Sequence, residues 1–244
     1  MANKVVSIED RIPKLKEERK KRANRRLLIL ILLLFFIFAC IAYFQSPYSK
    51  VGDVVIKGNM YTQSNQILQQ SGLTEKPPLL LLKEERVKKN ITTLPQLKSA
   101  SMKVSFPNKV EIVVEEYERL AYLFEENGMK VLLENGESIS LDGMVTQFSG
   151  PIVKGFDQKE HMKLLARQLA EMPTEVKNAI SEIIYSPKKT DKYRIIAYMN
   201  DGFEVHASLR TFGSKMAYYP SILKQLDPDV KGIIDMEVGL FFRS

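Results

Sequence analysis

The chain has 244 residues, a net charge of +7 and one cysteine. Between residues 1 and 26 it carries ten Lys and Arg against four Asp and Glu, so six of the seven net charges sit there and one is left for the rest. A near-neutral body argues against nucleic-acid binding, which needs positive charge spread over the folded surface. A lone cysteine excludes an intramolecular disulfide framework and paired-thiolate metal sites.

Leu27 to Phe44 is apolar and uncharged. At 1.5 Å per residue these roughly 18 residues span about 27 Å, enough for the hydrocarbon core of a bilayer. Basic residues beside a span stay on the cytoplasmic side, which predicts a cytoplasmic N-terminus and an exterior C-terminal part. The same features describe a signal peptide, and Ala39-Cys40 faintly resembles a lipoprotein cleavage site. Phe38 is too bulky for such a site and the run too long, so an uncleaved anchor is expected, with Cys40 facing lipid.

The expected divisions are a basic tail (1–26), a transmembrane helix (27–45), a first exterior module (46–117), a β-rich domain (118–231) and a terminal strand with a short tail (232–244). In the first module Val51–Lys57 alternates as a strand and Gly58-Asn59 turns it. Thr62 or Ser64 offers an N-cap to a helix carrying Ile67 and Leu68, and Gly72 suits its left-handed C-terminus. After Pro77-Pro78, Leu79–Leu82 has two readings, a membrane-touching patch or a buried lead-in to the next helix, and the buried one is expected. Lys83–Leu94 is a helix stopped by Pro95. Met102, Val104 and Phe106, then Val110, Ile112 and Val114, alternate about Pro107-Asn108 and would coat one face of a sheet.

In the second region Leu120–Phe124, Met129–Leu133 and Glu137–Leu141 are strands separated by Asn127-Gly128 and Asn135-Gly136, strong hairpin signals. Pro151–Phe156 is a further strand and Lys159–Met172 a helix with Met162, Leu165, Leu169 and Met172 on one face. Ile183–Tyr185, Ile195–Tyr198 and Phe203–Ala207 are strands. Thr211–Leu226 is expected to be a second helix, ended or kinked by Pro220. Ile233–Glu237 is the last strand, and Leu240–Phe242 starts the tail.

Catalytic groups do not converge. His161 lies on a charged helix and His206 in a strand. Glu115-Glu116 and Glu125-Glu126 are neighbours that point to opposite faces of a strand and cannot share a proton. Ser138, Ser140 and Asp142 have no base placed beside them. No phosphate loop, G-x-S-x-G or H-E-x-x-H occurs, and the sequon at Asn90 arises easily by chance. No enzyme activity, cofactor or metal is expected. What remains is an interaction surface: an edge strand near Ile233, Ile234, Asp235, Met236, Glu237, Val238, Gly239, Leu240, Phe241 and Phe242, supported by Tyr218 and Tyr219.

The order β-α-α-β-β just outside a span is that of a POTRA module. With the basic tail and the β-rich domain, the whole chain resembles the FtsQ/DivIB cell-division family. The resemblance is carried by Pro107-Asn108-Lys109-Val110-Glu111-Ile112-Val113-Val114-Glu115, Leu120-Ala121, Asn200-Asp201-Gly202, Tyr219-Pro220 and Asp235-Met236. Ile8-Glu9-Asp10-Arg11-Ile12-Pro13 and Ala23-Asn24-Arg25-Arg26 resemble DivIB of Gram-positive rods in particular.

The resemblance implies an α+β fold of span, POTRA module and β-rich mixed domain with two helices. It implies a noncatalytic scaffold at the division septum that holds FtsL-like and DivIC/FtsB-like coiled-coil proteins near the septal penicillin-binding transpeptidase and FtsW. In Gram-negative relatives the resemblance implies a last strand of Asp-apolar-Arg-Tyr that accepts an added strand from the FtsB-type partner; the matching positions here are Asp235, Met236, Glu237 and Val238, with an acid in place of Arg, for which a partner Lys or Arg would be suited. An outward-facing sensor or ligand-binding domain signalling through the span is the alternative of another class, and a cell-wall enzyme a third.

Overall fold

The structure, a computed structural model, describes residues 8–125, 128–140, 149–227, 231–239 and 241–243, with side chains described from residue 19 onward except that of Glu125. Asn127, Leu141, Asp142 and Leu240, named above, lie outside the described residues, as does Glu126. Contacts divide the chain into two compact units. One is Met1–Val54 with Glu75–Leu82 and Val104–Val110, and the other is Val55–Thr74 with Lys83–Lys103 and Glu111–Ser244.

The first unit is dominated by α1, Ile8–Gln45, whose stretch Arg19–Gln45 is long and apolar enough to cross a membrane and has none of that window buried. Helical repetition simply continues from the charged tail into the apolar run. It stops at Ser46 and Ser49: the Ser49 hydroxyl donates to the Phe44 and Ser46 carbonyls at 3.0 and 2.8 Å, and the Ser46 hydroxyl accepts the Tyr48 N–H at 3.3 Å. These bonds satisfy carbonyls that the helix end leaves open and start a 3₁₀ turn, Pro47–Ser49. A second 3₁₀ turn covers Leu79–Leu81. The expected burial of this run fails, since Leu80 and Leu81 are 76% and 73% exposed. A three-residue turn has no helical stripe with which to face a core.

A three-stranded sheet has the order β1-β3-β2, formed by β1 Val54–Lys57, β2 Leu97–Ser105 and β3 Lys109–Glu116. The central strand β3 buries Val110, Ile112 and Val114, as its alternation predicts. On β2 the expected apolar face is only partly realised: Met102 is half-buried, while Val104 and, just past the strand, Phe106 are 47% and 98% exposed. In the second unit α2 (Ser64–Ser71) packs against α3 (Glu84–Ile91), burying Ile67, Val87 and Ile91. Gly72 ends α2 at φ +74°, as expected, whereas the N-cap is Gln63 rather than Thr62 or Ser64.

The rest of the second unit is one nine-stranded mixed sheet of order β12-β11-β10-β9-β8-β7-β4-β5-β6. Its strands are β4 Arg119–Glu125, β5 Gly128–Leu133, β6 Ser138–Ser140, β7 Ile152–Lys154, β8 Ile180–Tyr185, β9 Arg194–Met199, β10 Glu204–Ser208, β11 Ile233–Asp235 and β12 Phe241–Arg243. Antiparallel hairpins build β4-β5-β6 and β8-β9-β10, and parallel pairings join β4 to β7, β7 to β8 and β10 to β11. Parallel neighbours need crossovers, which helices supply between β7 and β8 and between β10 and β11, while β5 and β6 lie between β4 and β7 in the chain.

Helices α4 (Lys159–Ala170) and α5 (Thr174–Ala179) link β7 to β8, and α6 (Phe212–Met216) and α7 (Tyr219–Leu223) link β10 to β11. Leu165, Ala166 and Leu169 of α4 join Ile183, Ile195, Ala197, Val205 and Phe212 in the main core. Two helices become four. The expected helix Thr211–Leu226 breaks between Met216 and Tyr219, where Pro220 opens α7 at a position whose N–H needs no intrahelical acceptor.

Candidate partner-binding edge

The end of the chain forms one side of the large sheet. Strand β11 runs parallel to β10, with Glu204, Val205 and His206 opposite Ile233, Ile234 and Asp235. Strand β12 then folds back antiparallel on β11, with Ile233, Ile234 and Asp235 opposite Arg243, Phe242 and Phe241. Among the described residues the free edge therefore belongs to β12, not to the Ile233–Glu237 strand, whose two sides are both occupied. The tail foreseen after Leu240 is itself a strand.

Alternation divides the expected residues. Ile234 and Met236 are fully buried in the core, Ile233, Asp235, Glu237 and Gly239 are half-buried, and Val238, Phe241 and Phe242 are 95%, 61% and 37% exposed. The two tyrosines also part company. Tyr218 is 68% exposed and lines, with Lys215, Met236, Val238 and Gly239, a hollow of about 220 Å³. Tyr219 is 2% exposed, and its hydroxyl donates to the Asp201 carboxylate, both of whose oxygens lie at 2.9 Å. Burial and then Asp201 push its phenol pKa well above the usual range. It is a core residue, and Tyr218 alone of the pair faces outward.

Two cations that sequence reasoning passed over organise this edge. The Arg194 side chain from β9, 5% exposed, donates through Nε to Glu237 Oε1 at 2.6 Å and through Nη1 to the Ser186 hydroxyl and carbonyl at 2.9 and 3.3 Å. Glu237, for which a cation on a partner was expected, thus finds its guanidinium within the chain, and Lys188 stands 3.8 Å away as well. Lys215 of α6 donates through Nζ to the Met236 and Glu237 carbonyls at 2.5 and 3.1 Å, which holds the chain after β11. Arg194 and Glu237 lie 43 positions apart, so no local pattern could have paired them.

His206, Asp235 and Glu237 bring donor atoms within 4.8 Å of one another, a spacing that a cation could use. Each residue already has a partner through one of its atoms: His206 Nε2 shares a 2.5 Å hydrogen bond with Glu204, Asp235 Oδ1 accepts the Glu237 N–H at 3.0 Å, and Glu237 Oε1 is held by Arg194. A metal ion there would sit beside the buried, positively charged Arg194 guanidinium, so the cluster fits a structural network better than a coordination site.

The other candidates serve the fold. His161 stacks near Tyr185 and Tyr193, with ring centroids at 4.9 and 5.4 Å. Glu116 accepts the N–H groups of Met60, Tyr61 and Thr62 at 3.0, 3.1 and 2.8 Å, while Glu115 meets Ser99 at 3.0 Å. A cleft of about 530 Å³ runs past Tyr61, Glu118, Arg119 and Lys177, whose side chains engage one another in pairs. Lys177 reaches Glu118 at 2.5 Å, and Arg119 lies 4.7 Å from the Tyr61 ring centre. An open strand edge with exposed apolar side chains beside it is the kind of surface to which an extended chain can add.

Residues 49–117 match the POTRA domain, FtsQ-type, and residues 121–237 match the C-terminal region of the cell division protein FtsQ/DivIB. The chain belongs to the FtsQ/DivIB family. It is 40% identical to cell division protein DivIB of Geobacillus kaustophilus, over 98% of this chain and 92% of that one. It is 39% identical to DivIB of Bacillus subtilis, over 99% and 92%, and 34% identical to DivIB of Listeria monocytogenes, over 99% and 90%. The solved major extracytoplasmic domain of the trans isomer of Geobacillus stearothermophilus DivIB is 39% identical and covers 48% of this chain and 99% of its own, with a TM-score of 0.40. Membership in the family gives this chain a role in cell division, and its N-terminal apolar helix fits a transmembrane anchor.

Proposed function

We propose that this FtsQ/DivIB protein is a noncatalytic, single-pass scaffold of the division septum, with its N-terminus in the cytoplasm. Its POTRA module (46–117) and β-rich domain (118–231) stand outside the membrane. Its partners are FtsL-like and DivIC/FtsB-like coiled-coil proteins, which it holds near the septal transpeptidase and FtsW.

The observation that carries the reading is the strand edge: among the described residues β12 pairs with β11 on one side only, and Val238, Phe241 and Phe242 are exposed around it. An unpaired edge offers N–H and C=O groups that an extended partner segment completes, while apolar side chains on alternate positions give specificity. The partner either adds beside β12 or takes its place against β11. The basic residues before Leu27 support the orientation.

Two variants test it. Phe242→Pro removes an edge N–H and fixes φ at the strand, and a stop after Gly239 deletes β12 altogether. Full-length chains carrying either change are co-purified from membranes with the coiled-coil division proteins. Retention falling at least about tenfold for Phe242→Pro is expected, roughly 1.4 kcal/mol. Wild-type retention in both variants would move the interface elsewhere.

A further inference from the structure

Four large apolar or aromatic side chains of the first unit stand open: Tyr48, Leu80, Leu81 and Phe106, exposed by 60%, 76%, 73% and 98%. They come from three separate segments, yet hydrogen bonds gather those segments at one place. The Val51 N–H donates to the Pro77 carbonyl at 3.0 Å, the Gly52 N–H to the Asn108 carbonyl at 2.8 Å, and Asn108 Nδ2 to the Pro47 carbonyl at 3.5 Å. The 3₁₀ turn and the hairpin tip thus both hang on residues 47–52. Pro47 itself follows the end of α1 at Gln45 by two residues, within about 7 Å of chain.

In water this cluster would be an odd use of four large side chains, one of them almost wholly exposed. Beside a bilayer it is not. Phe44 is the last residue of the apolar run, so the chain leaves the hydrocarbon region there and Tyr48 sits at the depth where amphipathic aromatic rings collect. The same segments carry Lys50, Lys76 and Lys109 against Asp53 and Glu75, one net positive charge, which an anionic surface does not repel. With α1 read as a span, a bilayer surface lies within a few residues of this cluster, and reaching it requires no partner to arrive.

We propose that Tyr48, Leu80, Leu81 and Phe106 insert into the interfacial layer of the bilayer spanned by α1, so that the first module is held on the membrane surface at two further points rather than tethered by the helix alone. This rests on reading α1 as a span. The lipid contact fixes the first module's attitude to the membrane, which a flexible tether would leave free.

The chain contains no tryptophan, so a single substitution reports one place. Full-length Phe106→Trp, Leu80→Trp and Phe35→Trp are each reconstituted in vesicles of phosphatidylglycerol and phosphatidylethanolamine containing lipids that bear a nitroxide near the headgroup, which reads Phe106→Trp and Leu80→Trp, or midway along the acyl chain, which reads Phe35→Trp at the centre of the span. The expected result is lipid quenching at Phe106→Trp and Leu80→Trp, with iodide quenching reduced about threefold or more relative to free N-acetyltryptophanamide in the same suspension. Lipid quenching at Phe35→Trp alone, with the other two as open to iodide as the free compound, overturns the proposal and leaves the span intact. No lipid quenching at Phe35→Trp overturns the span reading and the proposal with it.

Discussion

Replacing Arg194 by Met should be among the most damaging single changes at the candidate edge. The Arg194 side chain is 5% exposed and joins β9 to the chain just after β11 through Glu237 at 2.6 Å, with Ser186 as a second acceptor. Methionine keeps much of the volume but leaves the Glu237 carboxylate without its guanidinium. Removing one member of a buried pair costs about 3–5 kcal/mol, and Glu237, being 21% exposed, can recover some water, which places the loss near the lower end, about 3 kcal/mol. For a folded part of this size that corresponds to a fall in Tm of roughly 6–12 °C.

Scanning calorimetry of the full chain in nanodiscs reads this loss directly, and the pair is isolated by a cycle with Glu237→Gln. The double variant should be more stable than the sum of the single losses by at least about 1 kcal/mol, because residues in one ion pair are not additive. Single losses that simply add, or a Tm for Arg194→Met within about 2 °C of wild type, would refute the reasoning.

Glu116→Ala should free the three N–H groups of Met60, Tyr61 and Thr62, costing about 1–3 kcal/mol, and hydrogen exchange of those amides should accelerate while that of β9 stays unchanged. A Cβ on Gly213 would lie 2.5 Å from the Gln168 carbonyl oxygen, so Gly213→Ala should pry α6 from α4 and lower stability by about 1–3 kcal/mol in urea titration. Tyr219 has a raised phenol pKa, from burial first and then Asp201, so its stabilising contribution is present below the unfolded value near pH 10 and lost as pH rises above it. Tyr219→Phe should therefore flatten the decline in stability above about pH 10 by roughly 1.4 kcal/mol per pH unit, measured by urea titrations at stepped pH.

Where the sequence carried strong periodicity, the fold was legible. The uncharged run from Leu27 set α1, the alternation Val110, Ile112, Val114 set the buried face of β3, and Asn135-Gly136 set a turn whose glycine has φ +79°. Short elements were harder. Helix α5 has six residues and buries only Val176 and Lys177, too few to show a helical stripe, and Phe106 obeys the alternation of β2 yet falls at a hairpin tip with no core beneath it.

At the candidate edge, sequence reasoning named a segment whose residues it could not divide between core and surface. Tyr218 and Tyr219 look equivalent in one dimension, and only the break ahead of α7 sends one to solvent and the other to Asp201. Arg194 and Lys215 act across the fold, from 43 and about 21 positions away, where pattern gives no signal.

The most direct measurement of the central claim is site-specific photocrosslinking in living cells, one position at a time along residues 231–243 of the full chain. The account predicts adducts to a coiled-coil division protein at the exposed positions Val238, Phe241 and Phe242, and none at the buried positions Ile234 and Met236. Adducts at other surfaces with silence across all of Val238, Phe241 and Phe242 would contradict it.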